Sequence, residues 1–297
     1  MSLLGACSRL RAEGALAAKR VAVLTAVEVI SCHPCFMSDT KHVVLIHGAW
    51  SRGEQWAPAR AAFEERSYTV HTPTLRHHEL PLDEGASKIA PLSLRDYTDD
   101  LAALVASLDA PPLLVGHSLG GLVVQLVAAR THHAGVVAAC PSPVGPAGLN
   151  RTTLRISLGH GRQSRPWTKP VYPPTWEQFR HAAAHVQTEE TAREVFVDLV
   201  CESGRVLFFE LAFPWLDRAK AARVDSAAIA GPVLVIGGGA DRIVPTRLAR
   251  RLAARYHNGT YSEVPGSDHL VLHGNALSVT MGQIDDWIAR NHVLATA

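Results

Sequence analysis

The 297-residue chain carries a formal net charge of +2 and 47% hydrophobic residues, enough for one large core of the size that often takes an insertion in α/β chains. Both signs of charge are spread along it without a basic stripe, which argues against nucleic acid as a partner, and no apolar run reaches the roughly 18 residues that span a bilayer. Five cysteines in no framework spacing (Cys7, Cys32, Cys35, Cys140 and Cys201) fit a reducing, cytoplasmic setting.

Residues 1–36 are rich in Ala, with Arg9, Arg11, Lys19 and Arg20 ahead of an apolar stretch at 21–30. Glu28 interrupts that stretch and no small-residue cleavage site follows. The segment therefore reads as a disordered or helical extension in preference to a secretory signal, which stays open as the alternative. Cys32-His33-Pro34-Cys35 has redox spacing without the βαβ context that would make it functional. The folded core is expected to begin at Met37.

Residues 41–46 form a short strand, apolar from Val43 to Ile46, running into His47-Gly48-Ala49-Trp50, the pattern of a buried parallel strand that delivers a loop. A helix at 57–66 and a strand at 68–71 follow, then a loop with adjacent His77 and His78. Adjacent histidines rarely converge on one ion, and no further ligand motif is nearby, so no metal is expected and the two are taken as rim residues. Leu94, Tyr97, Leu101, Leu104 and Leu108 recur at helical spacing, predicting a helix over 93–108 with Ser93 as N-cap and Asp96 at N3. Pro111-Pro112 break it.

Residues 113–117 then read as a buried strand turning at Ser118 into a helix that is apolar nearly all round, Leu119 to Ala129. Gly116 and Gly120 stand where a Cβ would obstruct so tight a turn, and the helix N-terminus aims free N–H groups at Ser118. A small buried strand at 135–140 follows. From Pro141 the prolines and glycines end the βα rhythm, and 141–225 reads as short helices, at 175–186, 189–201 and 206–216. It holds Trp167, Trp176, Trp215, Phe179, Phe196, Phe208, Phe209 and Phe213. The basic residues Arg151, Arg155, Arg162, Arg165 and Lys169 read as a solvated face before an anion site. The sheet resumes at 231–238, leads through a glycine-rich turn to Asp241, and closes with a strand at 260–264, His269 and a C-terminal helix carrying Leu277, Met281, Ile284 and Ile288.

Gly116-His117-Ser118-Leu119-Gly120, with a strand before it and a helix after it, resembles the G-x-S-x-G nucleophile elbow of the α/β-hydrolase superfamily. The resemblance covers residues 41–291 and implies an α/β-hydrolase fold: a mostly parallel, doubly wound sheet formed by 37–140 and 226–297, with 141–225 as a helical lid. It implies a triad of Ser118, Asp241 and His269, in the chain order Ser, acid, His. Asp268 is the rival acid, but as the neighbour of His269 it would have to fold back. The resemblance also implies an oxyanion hole from the N–H groups of Ala49 and Leu119. His47-Gly48-Ala49-Trp50 followed by Trp56 is locally similar to the plant esterase and hydroxynitrile lyase subgroup. Trp50, His117, Trp176, Phe209 and Trp215 are the candidate pocket residues, although packing within the lid accounts for many of its aromatics.

The function implied is a serine hydrolase cleaving a carboxylic ester, lactone or thioester of a small to medium apolar molecule through an acyl-enzyme, with no metal or organic cofactor. Two alternatives stand beside it: a hydroxynitrile lyase-like enzyme on the same scaffold, and a ligand-binding protein without turnover. Gly48 and Ala49 are intact and no Lys follows Lys220, where lyases of the subgroup often carry one near the histidine, so hydrolysis is favoured. An intact set of Ser, acid and His argues against a pure binding role. Substrate identity and oligomeric state are not encoded in any motif.

Overall fold

The computed structural model describes residues 41–161 and 164–293, with 158–161 through their backbone only. The expectations for residues 1–36 and for Arg162 lie outside the described residues. Six parallel strands form one sheet: β1 (Lys41–Ile46), β2 (Tyr68–His71), β3 (Leu113–His117), β4 (Gly135–Ala139), and, after a long insertion, β7 (Val233–Gly238) and β8 (Gly259–Val264). Their order is β2-β1-β3-β4-β7-β8, and every pair is parallel. The order reverses direction at β1, as doubly wound sheets do.

Both faces of the sheet are covered, so the inner strands β3, β4 and β7 are buried at every position instead of alternating, while the edge strands β2 and β8 carry polar residues. Val44, Ile46 and Leu114 point to one face, where they pack with α3 (Leu94–Ala106), α4 (Leu119–Ala128) and α8 (Thr246–Ala253). Val43, Leu45, Leu113 and Val115 point to the other, against Phe63 of α1 (Ala57–Glu64) and Met281, Ile284 and Trp287 of α9 (Gly274–Asn291). Ser93 is the N-cap of α3 as expected, and with Asp96 it forms a capping box, Ser93 Oγ accepting from Arg95 N–H and Asp96 from Ser93 N–H.

The helix α2 (Leu82–Ile89) has no counterpart in the sequence reading. Between β4 and β7 lie α5 (Arg151–Gly161), β5 (Pro170–Val171), α6 (Trp176–Ala182), α7 (Glu189–Val197) and β6 (Glu202–Ser203). The helices are shorter than expected, and β5 pairs with β6 in a two-residue antiparallel ladder that the reading as helices alone had not included. At Val206–Glu210 the backbone winds as a π-helix, with Leu211 N–H donating to Val206 C=O at 2.9 Å.

Two buried carboxylates tie the insertion to the core. Glu202 accepts from Tyr97 O–H at 2.8 Å and from His78 Nε2 at 3.2 Å. Burial opposes a charge on His78, but Glu202 outweighs it and raises the imidazole pKa. His78 is thus fully buried in an ion pair, which corrects its expected place on the pocket rim; His77 is not a cavity residue either. Glu210 caps α3 from the insertion side, accepting from Ser93 O–H at 2.6 Å and Leu94 N–H at 2.8 Å.

Candidate active site

Ser118 sits between the end of β3 and the first turn of α4 with φ 55° and ψ −116°, a conformation that L-residues rarely hold. Its backbone is tied on both sides: Ser118 N–H donates to Ala139 C=O at 2.9 Å, and Ser142 N–H donates to Ser118 C=O at 2.9 Å. A Cβ on Gly116 would collide with Gly120 C=O, and one on Gly120 with Ile46 C=O. These two close approaches make room for the turn.

His269 Nδ1 donates to Asp241 Oδ2 at 2.8 Å, and both groups are buried. The other Asp241 oxygen accepts from Ile243 N–H at 2.7 Å and Val244 N–H at 3.0 Å. Burial raises the Asp241 carboxyl, but the charge and hydrogen bond of His269, with the two backbone N–H groups, prevail and hold it below the usual carboxylate range. Asp268 is occupied elsewhere. Its oxygens accept from Val186 N–H (2.8 Å), Gln187 N–H (3.3 Å), Gln187 Nε2 (2.9 Å) and Leu270 N–H (3.1 Å), so it fastens the insertion to the loop carrying His269.

Burial beside the Asp241 carboxylate raises the Cys140 thiol pKa well above normal and keeps the thiol protonated. Cys140, Asp241 and His269 bring potential metal-ligating atoms within 4.8 Å of one another. The Asp241 carboxylate takes its donors from His269 and two backbone amides.

His47 Nδ1 donates to Gly48 C=O at 2.9 Å, and its Nε2 accepts from Leu75 N–H at 2.9 Å. Burial and the nearby His78 push its pKa down to about 3, so a neutral imidazole in one tautomer pins the 48–50 loop. A Cβ built on Gly48 would lie 3.1 Å from Ser118 Cβ, so the loop runs directly alongside the serine. Ala49 faces the cavity, and Leu119 is the first residue of α4, whose opening N–H groups have no carbonyl one turn back. Sequence reasoning quoted His47 without giving it this role; its position one residue before a loop glycine was the available signal.

A cavity of about 380 Å³ is lined by Ser118 and His269 together with residues of the insertion. Its walls include Trp50, Trp56, Phe179, Leu207, Phe208 and Phe213, and no Lys, Arg, Asp or Glu side chain among the described residues lines it. Trp50 and His117 line it as expected. Trp176, Phe209 and Trp215 do not. Trp176 packs against Phe179 and Phe196 under the Arg193 guanidinium, 4.3 Å from its ring centroid. In the π-helical turn at Val206–Glu210 it is Phe208, not Phe209, that meets the cavity. Trp215 is exposed. Among the cations, Arg151, Arg155, Arg165 and Lys169 are exposed and none lines the cavity.

His117 Nε2 donates to His269 C=O at 2.8 Å, and burial, with the neighbouring His269 and His273, holds its pKa well below normal. His273 stacks on Trp56 with ring centroids 6.3 Å apart and lines the same cavity. Burial takes its pKa down to about 4; the Gln55 carbonyl works weakly against this without an adequate hydrogen bond, and both ring nitrogens are buried and unpartnered. His273 was not singled out as a pocket residue, being one of 16 histidines with no motif around it.

The family model for alpha/beta hydrolases matches residues 43–278, and the chain belongs to that family. Over 159 residues it is 35% identical to a pyrethroid hydrolase from Sphingobium wenxiniae, an alignment that covers 52% of this chain and 54% of the relative. The chain thus spans about half the length of that curated relative. Among solved structures it is similar to a monoacylglycerol lipase from Paleococcus ferrophilus (TM-score 0.64, 21% identity, 85% of this chain and 96% of that one). It is also similar to a methylesterase from Arabidopsis (TM-score 0.62, 17% identity, 84% and 99%). At these identities the two structures establish a shared fold.

Proposed function

We propose that the protein is a serine esterase acting on neutral, apolar carboxylic esters. The observation that carries this reading is the strained Ser118 sharing one uncharged cavity with His269, whose Nδ1 is held by Asp241. With Nδ1 occupied, Nε2 is the nitrogen left to receive a proton. Ser118 Oγ attacks the ester carbonyl carbon as His269 Nε2 takes the hydroxyl proton, and Asp241 stabilises the imidazolium. Charge gathers on the former carbonyl oxygen, for which the N–H groups of Ala49 and Leu119 are the donors. Collapse of this intermediate breaks the ester C–O bond, and His269 returns the proton to the departing alcohol. Water, deprotonated by His269, then cleaves the acyl-enzyme. A lid formed by 141–225 supplies the apolar walls that exclude bulk water and raise the strength of each of these interactions.

The test is hydrolysis of p-nitrophenyl esters from acetate to decanoate, with Ser118→Ala beside the wild type and intact mass used to detect the acyl adduct. Loss of about four to six orders of magnitude in kcat for the variant, with an adduct in the wild type alone, is expected. Absence of both turnover and adduct in folded wild-type protein would overturn the reading and bring the lyase and binding alternatives forward.

A further inference from the structure

The surface around the cavity mouth is apolar and rimmed by cations. Leu149 and Phe213 line the cavity yet are 67% and 44% exposed, and Leu154, Trp215 and Leu216 beside them in the chain are 54%, 62% and 58% exposed. Gly145 N–H donates to Leu211 C=O at 2.7 Å, which holds the turn before Leu149 against the segment leading to Phe213. Phe213 and Trp215 meet edge to face at 5.6 Å, so the aromatic wall is preorganised while turned to solvent. Contiguous exposed apolar side chains of this kind mark an interaction surface.

Trp215 also borders a second groove, whose charged lining is Lys220, Arg223, Arg251 and Arg255 against the one acid Asp225. None of these four cations forms an ion pair among the described residues. Arg151 and Arg155, exposed on α5, flank Leu154. A protein partner is usually met by a rim of mixed sign. A rim with four cations to one acid beside exposed Trp, Phe and Leu matches a continuous negative sheet with an apolar interior, because Trp settles at the headgroup level and Lys and Arg are drawn to anionic lipid.

We propose that the cavity mouth is a peripheral docking surface for anionic phospholipid bilayers. Phe213, Trp215 and Leu216 enter the interface, and Lys220, Arg223, Arg251 and Arg255 face the headgroups. Among the described residues no helix is long and apolar enough to cross a membrane, so the association is superficial and salt-sensitive. Docking itself does not depend on the esterase reading; its use does. An uncharged apolar ester dissolved in the bilayer would reach Ser118 through the mouth without crossing water, entering a cavity that has no charged wall.

The test is co-sedimentation of the full chain with vesicles of phosphatidylcholine alone or with about a third phosphatidylglycerol, together with tryptophan fluorescence. Binding about tenfold stronger to the anionic vesicles, with a blue shift, is expected, and loss of it at about 0.5 M salt. Trp215→Ser/Leu216→Ser and Lys220→Glu/Arg223→Glu each lower the binding about tenfold, with melting temperature and near-UV circular dichroism confirming that they fold. Ser118→Ala binds like the wild type, so failure of the chemistry and failure of the docking are told apart. Equal binding to both vesicles, no binding to either, folded variants that bind undiminished, or a dimer that buries Trp215 would each overturn the proposal.

Discussion

Ser118 keeps its left-handed backbone only because two neighbours have no side chain. Gly120→Ala would drive a Cβ into the Ile46 carbonyl, which belongs to a buried strand and cannot retreat. A loss of about 3 kcal/mol in urea unfolding is expected, with activity falling in the protein that still folds. These positions are readable from sequence, because a strained turn demands small residues at fixed offsets. His273 is the opposite case: what decides its character is burial against Trp56 by the docking of α9, and no local pattern reports that. Its nitrogens have no partners, so a phenyl ring of similar shape removes a cost. His273→Phe should be within about 1 kcal/mol of wild type at pH 8 and gain about 2 kcal/mol relative to it at pH 5, since the imidazole then no longer resists protonation down to about 4. Chemical unfolding at the two pH values checks this.

At the level of elements, the strands and sheet-facing helices were legible because an apolar run between glycines and prolines has few alternatives. The α2 helix was equally available from Pro81, the acidic Asp83 and Glu84 in its first turn and Lys88 in its last, which pairs with Glu84 at 3.1 Å. The insertion was less legible. Its π-helical turn at Val206–Glu210 follows no α-helical period, and its small ladder is two residues long, below what periodicity resolves. Its attachment depends on pairs distant in sequence. Glu202→Gln leaves His78 buried without its countercharge, and a loss of about 3 kcal/mol in thermal or urea unfolding is expected. Asp268→Ala strands Val186 N–H, Gln187 N–H and the Gln187 amide, at a similar expected cost of about 3 kcal/mol. Limited proteolysis near residues 183–188 should accelerate in that variant before the core melts.

For the whole molecule, the buried histidines set the pH range of stability. His47, His117 and His273 stay neutral in the fold, with pKa values depressed from 6.5 to about 3, well below normal, and about 4. The unfolded chain binds protons at these positions first, so stability is lost as pH falls below 6.5, at up to about 4 kcal/mol per pH unit for the three together until His273 begins to titrate. Asp241 adds a loss only at lower pH, when its carboxylate is protonated. His78 works in the other direction: its raised pKa makes the Glu202 pair fully stabilising below 6.5, and that contribution fades as pH climbs through the folded value. Guanidinium unfolding across pH 4 to 10 should therefore give steep acid loss and shallow alkaline loss, and Glu202→Gln should flatten the alkaline arm.

The insertion leaves from the end of β4 and returns at the start of β7, and these two strands are immediate neighbours in the sheet. Because these two strands run parallel, the connection must also cross from one end of the sheet to the other, so only the part of it beyond the strand ends can vary freely, and the sheet with its remaining connections forms a separate framework. His47, Ser118, Asp241 and His269 all belong to that framework. Selection, or a protein engineer, can therefore reshape the cavity walls by exchanging parts of the insertion while the proposed catalytic residues stay in place.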